Sequence, residues 1–264
     1  MPNDFDESAK NYDAIFSYSE IGKAQRDKVH RILSENFLMK GQNDQDLDIL
    51  EINCGTGEDA NFFWKKGHQV IATDVSEKMI EIARAKFTDT TIQFQQVDIK
   101  KIDSKTFDHK FDLIFSNFGG LNCINRPDIE NFIENSAGLL NPSGKMVLVV
   151  MPKKCLWERS YFILKGQFKK AFRRNTNKKV LSNVDGVEVP TWYYQPKEMI
   201  DIAKKDHLLL TVRPIGIWIP PSYLESCFQN KKRLLKLFIH LERLFNHRFW
   251  SGYADHYLIA FQKK

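Results

Sequence analysis

The sequence predicts an α/β fold built on a mostly parallel sheet, and three observations predict it. Apolar runs alternate with helical patterns from Leu47 onward, the signature of βαβ units. The first run ends in Glu51 and passes into a small-residue turn holding Gly55 and Gly57, after which a helical pattern opens at Glu58. Asp74, Asp98 and Asn117 then stand at the ends of the next three runs.

The pattern places strands near 47–52, 69–75, 91–98, 111–117 and 145–151, with helices near 58–66, 76–87 and 127–140. Asn141-Pro142-Ser143-Gly144 reads as a turn before the fifth strand. Pro196 opens a further helix at a favourable first-turn position, ahead of a sixth strand near 208–216. The last strand is 256–263, and pattern alone leaves its direction open. Before the sheet, residues 20–40 read as one helix with an apolar stripe of Ala24, Val29, Ile32, Leu33 and Phe37. Residues 152–195 interrupt the alternation and read as an insertion over the carboxyl edge of the sheet, where open α/β folds bind ligands. The 264 residues are thus expected to form one domain, with an N-terminal helical segment at 1–40, a lid at 152–195 and a helical excursion at 218–250.

A hydrophobic fraction of 42% fills a substantial core, so disorder is not the default. The acidic Met-Pro-Asn-Asp-Phe-Asp start carries no charged-then-apolar leader, and no apolar run approaches the about 18 residues of a membrane span. Cys54, Cys123, Cys155 and Cys227 are scattered singly, which argues against a zinc site or a disulfide framework. A cytoplasmic protein is the plain expectation. The net charge of +6 is unevenly spread. Ten Lys or Arg lie between Lys153 and Lys179 against Glu158 alone, and six between Lys231 and Phe249 against Glu242 alone. The rest of the chain is acidic.

The glycine turn is a place where a nucleotide-like ligand can press against backbone, since glycine accepts positive φ. A dinucleotide would set its pyrophosphate on the following helix N-terminus. Glu58 and Asp59 there would repel it, although they suit the helix dipole. S-adenosylmethionine carries no phosphate and a positive sulfonium, so the loop favours a methyl donor. Asp74, 17 residues after Gly57, is of the type that accepts both ribose hydroxyls, and Asp98 of the type that accepts from an adenine amino group. Alone this is a weak discriminator, because Gly55-Thr56-Gly57-Glu58-Asp59-Ala60 also fits the GxGxxA dinucleotide pattern.

The ordered set Glu51-x-Asn53-x-Gly55-x-Gly57, Asp74, Val97-Asp98-Ile99, Phe111-Asp112-Leu113-Ile114-Phe115-Ser116-Asn117 and Leu139-Leu140-Asn141-Pro142-Ser143-Gly144 resembles the class I S-adenosylmethionine-dependent methyltransferases. The match covers about residues 5 to 151. The resemblance implies a Rossmann-like seven-stranded sheet, mostly parallel, with its last strand antiparallel. It further implies that Glu51, Gly55 and Gly57 pack on the methionine part of the donor, Asp74 on the ribose, Asp98 with Ile99 on the adenine, and Met79 beneath it, with Val75 and Asn117 as further candidates around the donor. Asn53 departs from the family, which usually has its first glycine there. Asn tolerates left-handed backbone next best, and its amide could itself touch the donor. Phe5-Asp6-x-x-Ala9-x-x-Tyr12-Asp13 is similar to the entry segment of small-molecule members. There Tyr12 would close over the donor and Arg26 would pair with its carboxylate. Asn117-Phe118-Gly119-Gly120 is unlike the Asn-Pro-Pro-Tyr of enzymes that methylate nucleobase amines.

On the acceptor side, Trp157, Tyr161, Leu164, Phe168 and Phe172 fall within about 80° on a helical wheel, with Lys165, Lys169, Lys170, Arg173 and Arg174 on other faces. The pattern recurs over 231–249. Such helices can lie on a membrane surface, cover a pocket, meet an acidic partner such as a carrier protein, or simply pack in the core. Trp157, Tyr161, Tyr194, Trp218 and Tyr223 are the expected pocket residues. No His, Asp or Glu spacing suggests a metal. Methyl transfer requires alignment and, for a hydroxyl acceptor, removal of one proton. His256, beside Asp255 at the start of the last strand, is the candidate base.

These readings converge on a methyltransferase that uses S-adenosylmethionine and acts at oxygen or carbon of a small, largely apolar or aromatic acceptor, free or carrier-tethered. A tRNA-modifying methyltransferase, a donor-binding protein without catalysis and a dinucleotide-dependent oxidoreductase remain as alternatives. Basic residues on apolar-striped helices, with no RNA-binding module, argue against nucleic acid.

Overall fold

The structure, a computed structural model, describes residues 4–38, 46–228 and 230–264. It opens with α1 (Asp4–Tyr12), a π-helical turn (Asp13–Ser17) and α2 (Glu20–Asn36), whose N-cap Ser19 accepts from Gly22 N. The helix expected over 20–40 therefore stops at Asn36, and residues 39 and 40 lie outside the described residues. Five parallel strands follow with their helices: β1 (Asp48–Ile52), α3 (Glu58–Lys65), β2 (Gln69–Asp74), α4 (Glu77–Lys86), β3 (Gln93–Gln96), β4 (Phe111–Ser116), α5 (Arg126–Leu139) and β5 (Leu140–Val150). The lid contains α6 (Leu156–Leu164), α7 (Phe168–Ala171) and a hairpin of β6 (Val180–Val184) and β7 (Val187–Thr191). The chain ends with α8 (Pro196–Ala203), β8 (His207–Ile215), α9 (Glu225–Phe228), α10 (Lys232–Leu244) and β9 (His256–Lys263).

The main sheet runs β3-β2-β1-β4-β5-β9-β8. β9 is antiparallel to both of its neighbours, β5 and β8, and the other pairings are parallel. This is the seven-stranded Rossmann-like methyltransferase sheet, with its one reversed strand next to the edge. Strand order reverses between β1 and β4, and a ligand crevice opens beyond their carboxyl ends at such a switch point.

The alternation of strand side chains explains the two core layers. Leu50, Ile114, Leu148 and Ile259 face α5 and α8, where Phe132 and Met199 pack. Ile49, Leu113, Phe115, Val147 and Leu258 face α2 and α3, where Leu33 and Phe63 pack. Each fully buried side chain of this size contributes about 1.5–3 kcal/mol of hydrophobic free energy. Helix starts are locally encoded. Ser76 accepts from Met79 N, Asn125 from Asp128 N, and Gln195 with Glu198 forms a capping box around Pro196.

Two segments differ from the sequence expectation. The turn expected at 141–144 is absorbed into β5, which starts at Leu140 and is irregular there, with Ser143 at φ +63° and a register shift against β4. The single amphipathic helix expected across 157–172 breaks at Gly166 (φ +67°), giving the shorter α6 and α7. The lid also holds an unforeseen hairpin. Asp185 (φ +51°) and Gly186 (φ +85°) form its tip, the two left-handed positions a tight Asp-Gly hairpin turn requires.

Candidate active site

A cavity of about 1070 Å³ opens beyond the carboxyl ends of β1, β2 and β4. The N-terminal segment covers one side and the lid hairpin the other. Ten of the twelve residues expected around the donor line it: Tyr12, Arg26, Asn53, Gly55, Asp74, Val75, Met79, Asp98, Ile99 and Asn117. Glu51 and Gly57 do not. Gly57 (φ +84°) supports the loop from behind, where a Cβ would stand 2.8 Å from the Phe94 ring. Glu51 is buried at the end of β1, and its Oε2 has no hydrogen-bond partner. Burial, then the neighbouring Asp59, push its carboxyl well above the usual range.

Asn53 has φ +57°, the left-handed backbone that made Asn the tolerable replacement for glycine. Its amide donates to Ser116 Oγ (3.3 Å), and Gly120 packs so close that a Cβ there would lie 2.4 Å from the Asn53 Cβ. Asp74 accepts from Gly55 N and Ser76 N, both at 2.9 Å, which locks the glycine turn onto the tip of β2. Burial raises its carboxyl against those bonds. Asp98 caps the 3₁₀ turn Ile99–Lys101 by accepting from Lys100 N (3.0 Å). Each carboxylate keeps spare lone pairs toward the cavity. Together with the open space at Gly55, where an added Cβ would meet only Tyr12 at 3.8 Å, this donor set fits S-adenosylmethionine.

The carboxylates at the start of α3 are not free. Asp59 sits 3.3 Å from Arg26 Nε and 2.5 Å from His30 Nε2, and it accepts from Asn117 Nδ2 at 3.0 Å. Burial alone would raise its carboxyl, but Arg26, His30 and Asn117 hold it well below the usual range. Glu58 pairs with Lys86 (2.7 Å) and Tyr18 (3.0 Å). The sequence argument that both acids repel a phosphate is therefore weakened, since each charge is compensated. Arg26 faces the cavity while already paired with Asp59, and Asp59 was missed as the residue that orients it. The N-terminal segment is tied down through Asp13, which accepts from Thr56 Oγ1 and Lys86 Nζ, both at 2.6 Å.

The acceptor end was the least foreseen. Of the five expected pocket residues only Tyr223 lines the cavity. Trp157 packs edge-on against Phe228 and Phe238, and Trp218 packs tilted against Phe238 and edge-on against Phe245, in an aromatic cluster beneath α10. Tyr161 contacts Phe162 and Lys165 on the outside of α6. Tyr194 is buried in the core and donates to Ile124 O (2.7 Å), so its neighbour Tyr193 faces the cavity instead. Both lie in the irregular segment after β7, where the burial of Tyr194 against Ile124 leaves Tyr193 on the cavity side.

His256 lines the cavity, with its ring edge-on to Phe118 at 5.2 Å. Its Nδ1 lies 3.1 Å from Asp255 Oδ2, at ion-pair distance but off the line of a hydrogen bond. Asp255 also accepts from Arg174 (3.0 Å) and Gln25 (3.2 Å). Burial would raise its carboxyl; His256, Arg174 and Gln25 outweigh that and hold it well below the usual range. Arg174 is buried and bridges onward to Glu158 (2.9 Å), which takes Arg173 through two bonds at 2.7 and 3.1 Å. Arg173 and Arg174, expected only on faces other than the aromatic stripe, thus line the cavity. The signal that could have found them is Glu158, a lone acid in a run of ten bases.

Fold and site together define an open α/β protein with one large cavity running from the glycine turn to the lid. Residues 49–144 match the model of the methyltransferase domain family. Over these residues the chain carries a methyltransferase domain. It is 34% identical over 115 residues to a malonyl-[acyl-carrier protein] O-methyltransferase of Priestia megaterium, covering 43% of this chain and 38% of that relative. It is 26% identical over 193 residues to a demethylmenaquinone methyltransferase of Clavibacter sepedonicus, 70% of each chain. The chain thus spans little more than a third of the malonyl relative's length. A SAM-dependent methyltransferase from Methanosarcina mazei shares the fold, with a TM-score of 0.60, 16% identity, and 88% of this chain and 96% of that one covered.

Proposed function

We propose that the protein transfers a methyl group from S-adenosylmethionine to an oxygen of a small acyl acceptor that carries a free carboxylate and is held on an acidic carrier protein. The observation that carries this reading is Arg173, which lines the same cavity as the glycine turn and keeps guanidinium N–H groups beyond the two it gives to Glu158. The malonyl relative supports it, since its acceptor is carrier-bound by name. The donor supplies an electrophilic methyl carbon on a sulfonium. Asp74 and Asp98 would hold its ribose and adenine, and Tyr12 and Arg26 its amino-acid end.

A carboxylate acceptor is already ionised at neutral pH. No proton has to be removed, so the residues of this chain align rather than deprotonate. Arg173 keeps guanidinium N–H groups beyond those used on Glu158 and would orient the carboxylate. His256, held near Asp255, would fix the acceptor by hydrogen bond, and would act as base only on a hydroxyl. The cytoplasm is the proposed compartment; no described helix is long and apolar enough to cross a membrane.

A second reading, transfer to an aromatic ring, is favoured by the Tyr193, Tyr223 and Phe118 wall. Calorimetric titration with S-adenosylmethionine, its demethylated product and NAD tests the donor. Mass analysis of a malonyl-loaded acyl carrier protein and of a hydroquinone after incubation tests the acceptor. A methyl ester on the carrier supports the first reading, a methylated ring the second. Binding of NAD without the methyl donor sinks both.

A further inference from the structure

We infer that the outer face of α6 and α7 is the docking surface for an acidic carrier protein. This rests on the carrier-tethered reading above and goes beyond it by naming the surface. Residues 163–170 form an unbroken exposed stretch containing Ile163, Leu164, Phe168, Lys165, Lys169 and Lys170. Leu164 is 87% exposed and Phe168 61%. Large apolar side chains left this open on a lid mark an interaction site more often than chance.

The electrostatics of the face follow from sequence and burial together. No Asp or Glu occurs from 159 to 184. The nearest acid, Glu158, is buried and consumed by Arg173 and Arg174, so it does not offset the lysines outside. The lysines therefore present a positive field around an apolar centre, the complement of an acidic protein with an apolar contact strip. Arg159 stacks over Phe172 at 5.1 Å and Lys170 sits 5.9 Å from the Phe162 ring, which steadies the exposed aromatics.

Placement adds the second argument. Arg173 and Arg174 line the cavity and follow α7 directly, so a partner seated here stands beside the cavity mouth. A flexible arm from such a partner has only a short path inward. A membrane surface would also attract lysines and leucines. An interfacial helix, however, needs one continuous apolar face. The break at Gly166 divides this segment into a nine-residue and a four-residue helix, which suits a discrete protein contact better.

The test uses the full chain and the triple variant K165E/K169E/K170E, with K232E/R233E/K236E on α10 as a control that reverses the same number of exposed charges. Binding of unloaded acyl carrier protein is read by biolayer interferometry, and steady-state transfer to malonyl-loaded carrier and to malonyl-pantetheine is read alongside. The expected result is at least about a tenfold weaker Kd and a matching rise in KM for the carrier substrate in the lid variant. Turnover of the free thioester and the control variant's binding stay unchanged. Carrier binding unaffected by the lid variant overturns the inference, whatever the turnover shows. Binding to vesicles of phosphatidylcholine and phosphatidylglycerol, lost in the lid variant while the carrier does not bind, overturns it in favour of a membrane. Carrier binding that depends on the lid, with no methyl transfer to any acceptor, leaves the docking surface standing and removes the functional reading instead.

Discussion

The donor half of this molecule and the cover over its acceptor end are held together by different physics. The donor half is a parallel sheet with short connections, where backbone geometry sets the site: two left-handed positions at Asn53 and Gly55, and a carboxylate at the tip of β2 that pins the turn. The acceptor cover is short helices and a hairpin fastened by a buried ionic chain from Arg173 and Glu158 through Arg174 and Asp255 to His256. The first kind of site depends on local sequence. The second depends on Arg174 meeting Asp255 from 81 positions away, and a buried charge in it is costly once its partner is gone.

The largest expected effect tests that second half. Glu158→Ala leaves Arg174 and Arg173 without their shared carboxylate and should lower stability by about 3–5 kcal/mol. Urea unfolding measures it, and a loss below about 1 kcal/mol would mean the lid is not fastened this way. Next, Asp74→Ala removes the acceptor of two backbone N–H bonds and, on the proposed reading, the ribose anchor. Donor affinity should fall about a hundredfold, or about 2.7 kcal/mol, in calorimetry. Asp74→Asn keeps the size but can accept only one of the two backbone bonds, so equal loss in both variants assigns the effect to the carboxylate and not to side-chain bulk. Gly57→Ala should cost about 1–3 kcal/mol, because its backbone is left-handed and its Cβ would collide with Phe94. If thermal unfolding is unchanged, the close packing behind the loop is not needed.

A smaller effect is acid sensitivity. Asp59 and Asp255 have folded carboxyls held below the unfolded value of about 3.9. A depressed carboxyl contributes stability that is whole above about pH 4 and is lost as pH falls from there through its folded value. Glu51 and Asp74, raised by burial, act oppositely and cost stability as pH rises past about 4. Urea midpoints from neutral to acid pH should therefore show a steeper acid loss in the native protein than in Asp255→Asn. Parallel curves would remove Asp255 from the account.

The two halves were unequally legible. Strand runs, Gly55, Asp74 and Asp98 declared themselves because each has a local reason to be where it is. Asn53 was legible for the same reason, a backbone conformation few residues accept. Arg173 and Arg174 were hidden within a basic run, and Trp157 and Trp218 were misplaced into the pocket when they pack beneath α10. The lone acid of each basic run was the overlooked clue. Glu158 and Glu242 are both buried, the latter pairing with Lys28 at 2.6 Å and capping the backbone of Gly216 and Trp218. An acid that survives among many bases is the one most easily neutralised inside.

Alone, the sequence determined the α/β alternation, the glycine turn, the acids at the strand tips and the basic character of the lid. Periodicity and backbone preference act over a few residues and can be read there. Only the tertiary structure decided which of two adjacent tyrosines enters the cavity, that the lid helix breaks at Gly166, and that Arg174 reaches Asp255 across 81 positions in the chain. Those outcomes turn on burial and charge pairing between distant segments, which are fixed only when the chain has folded.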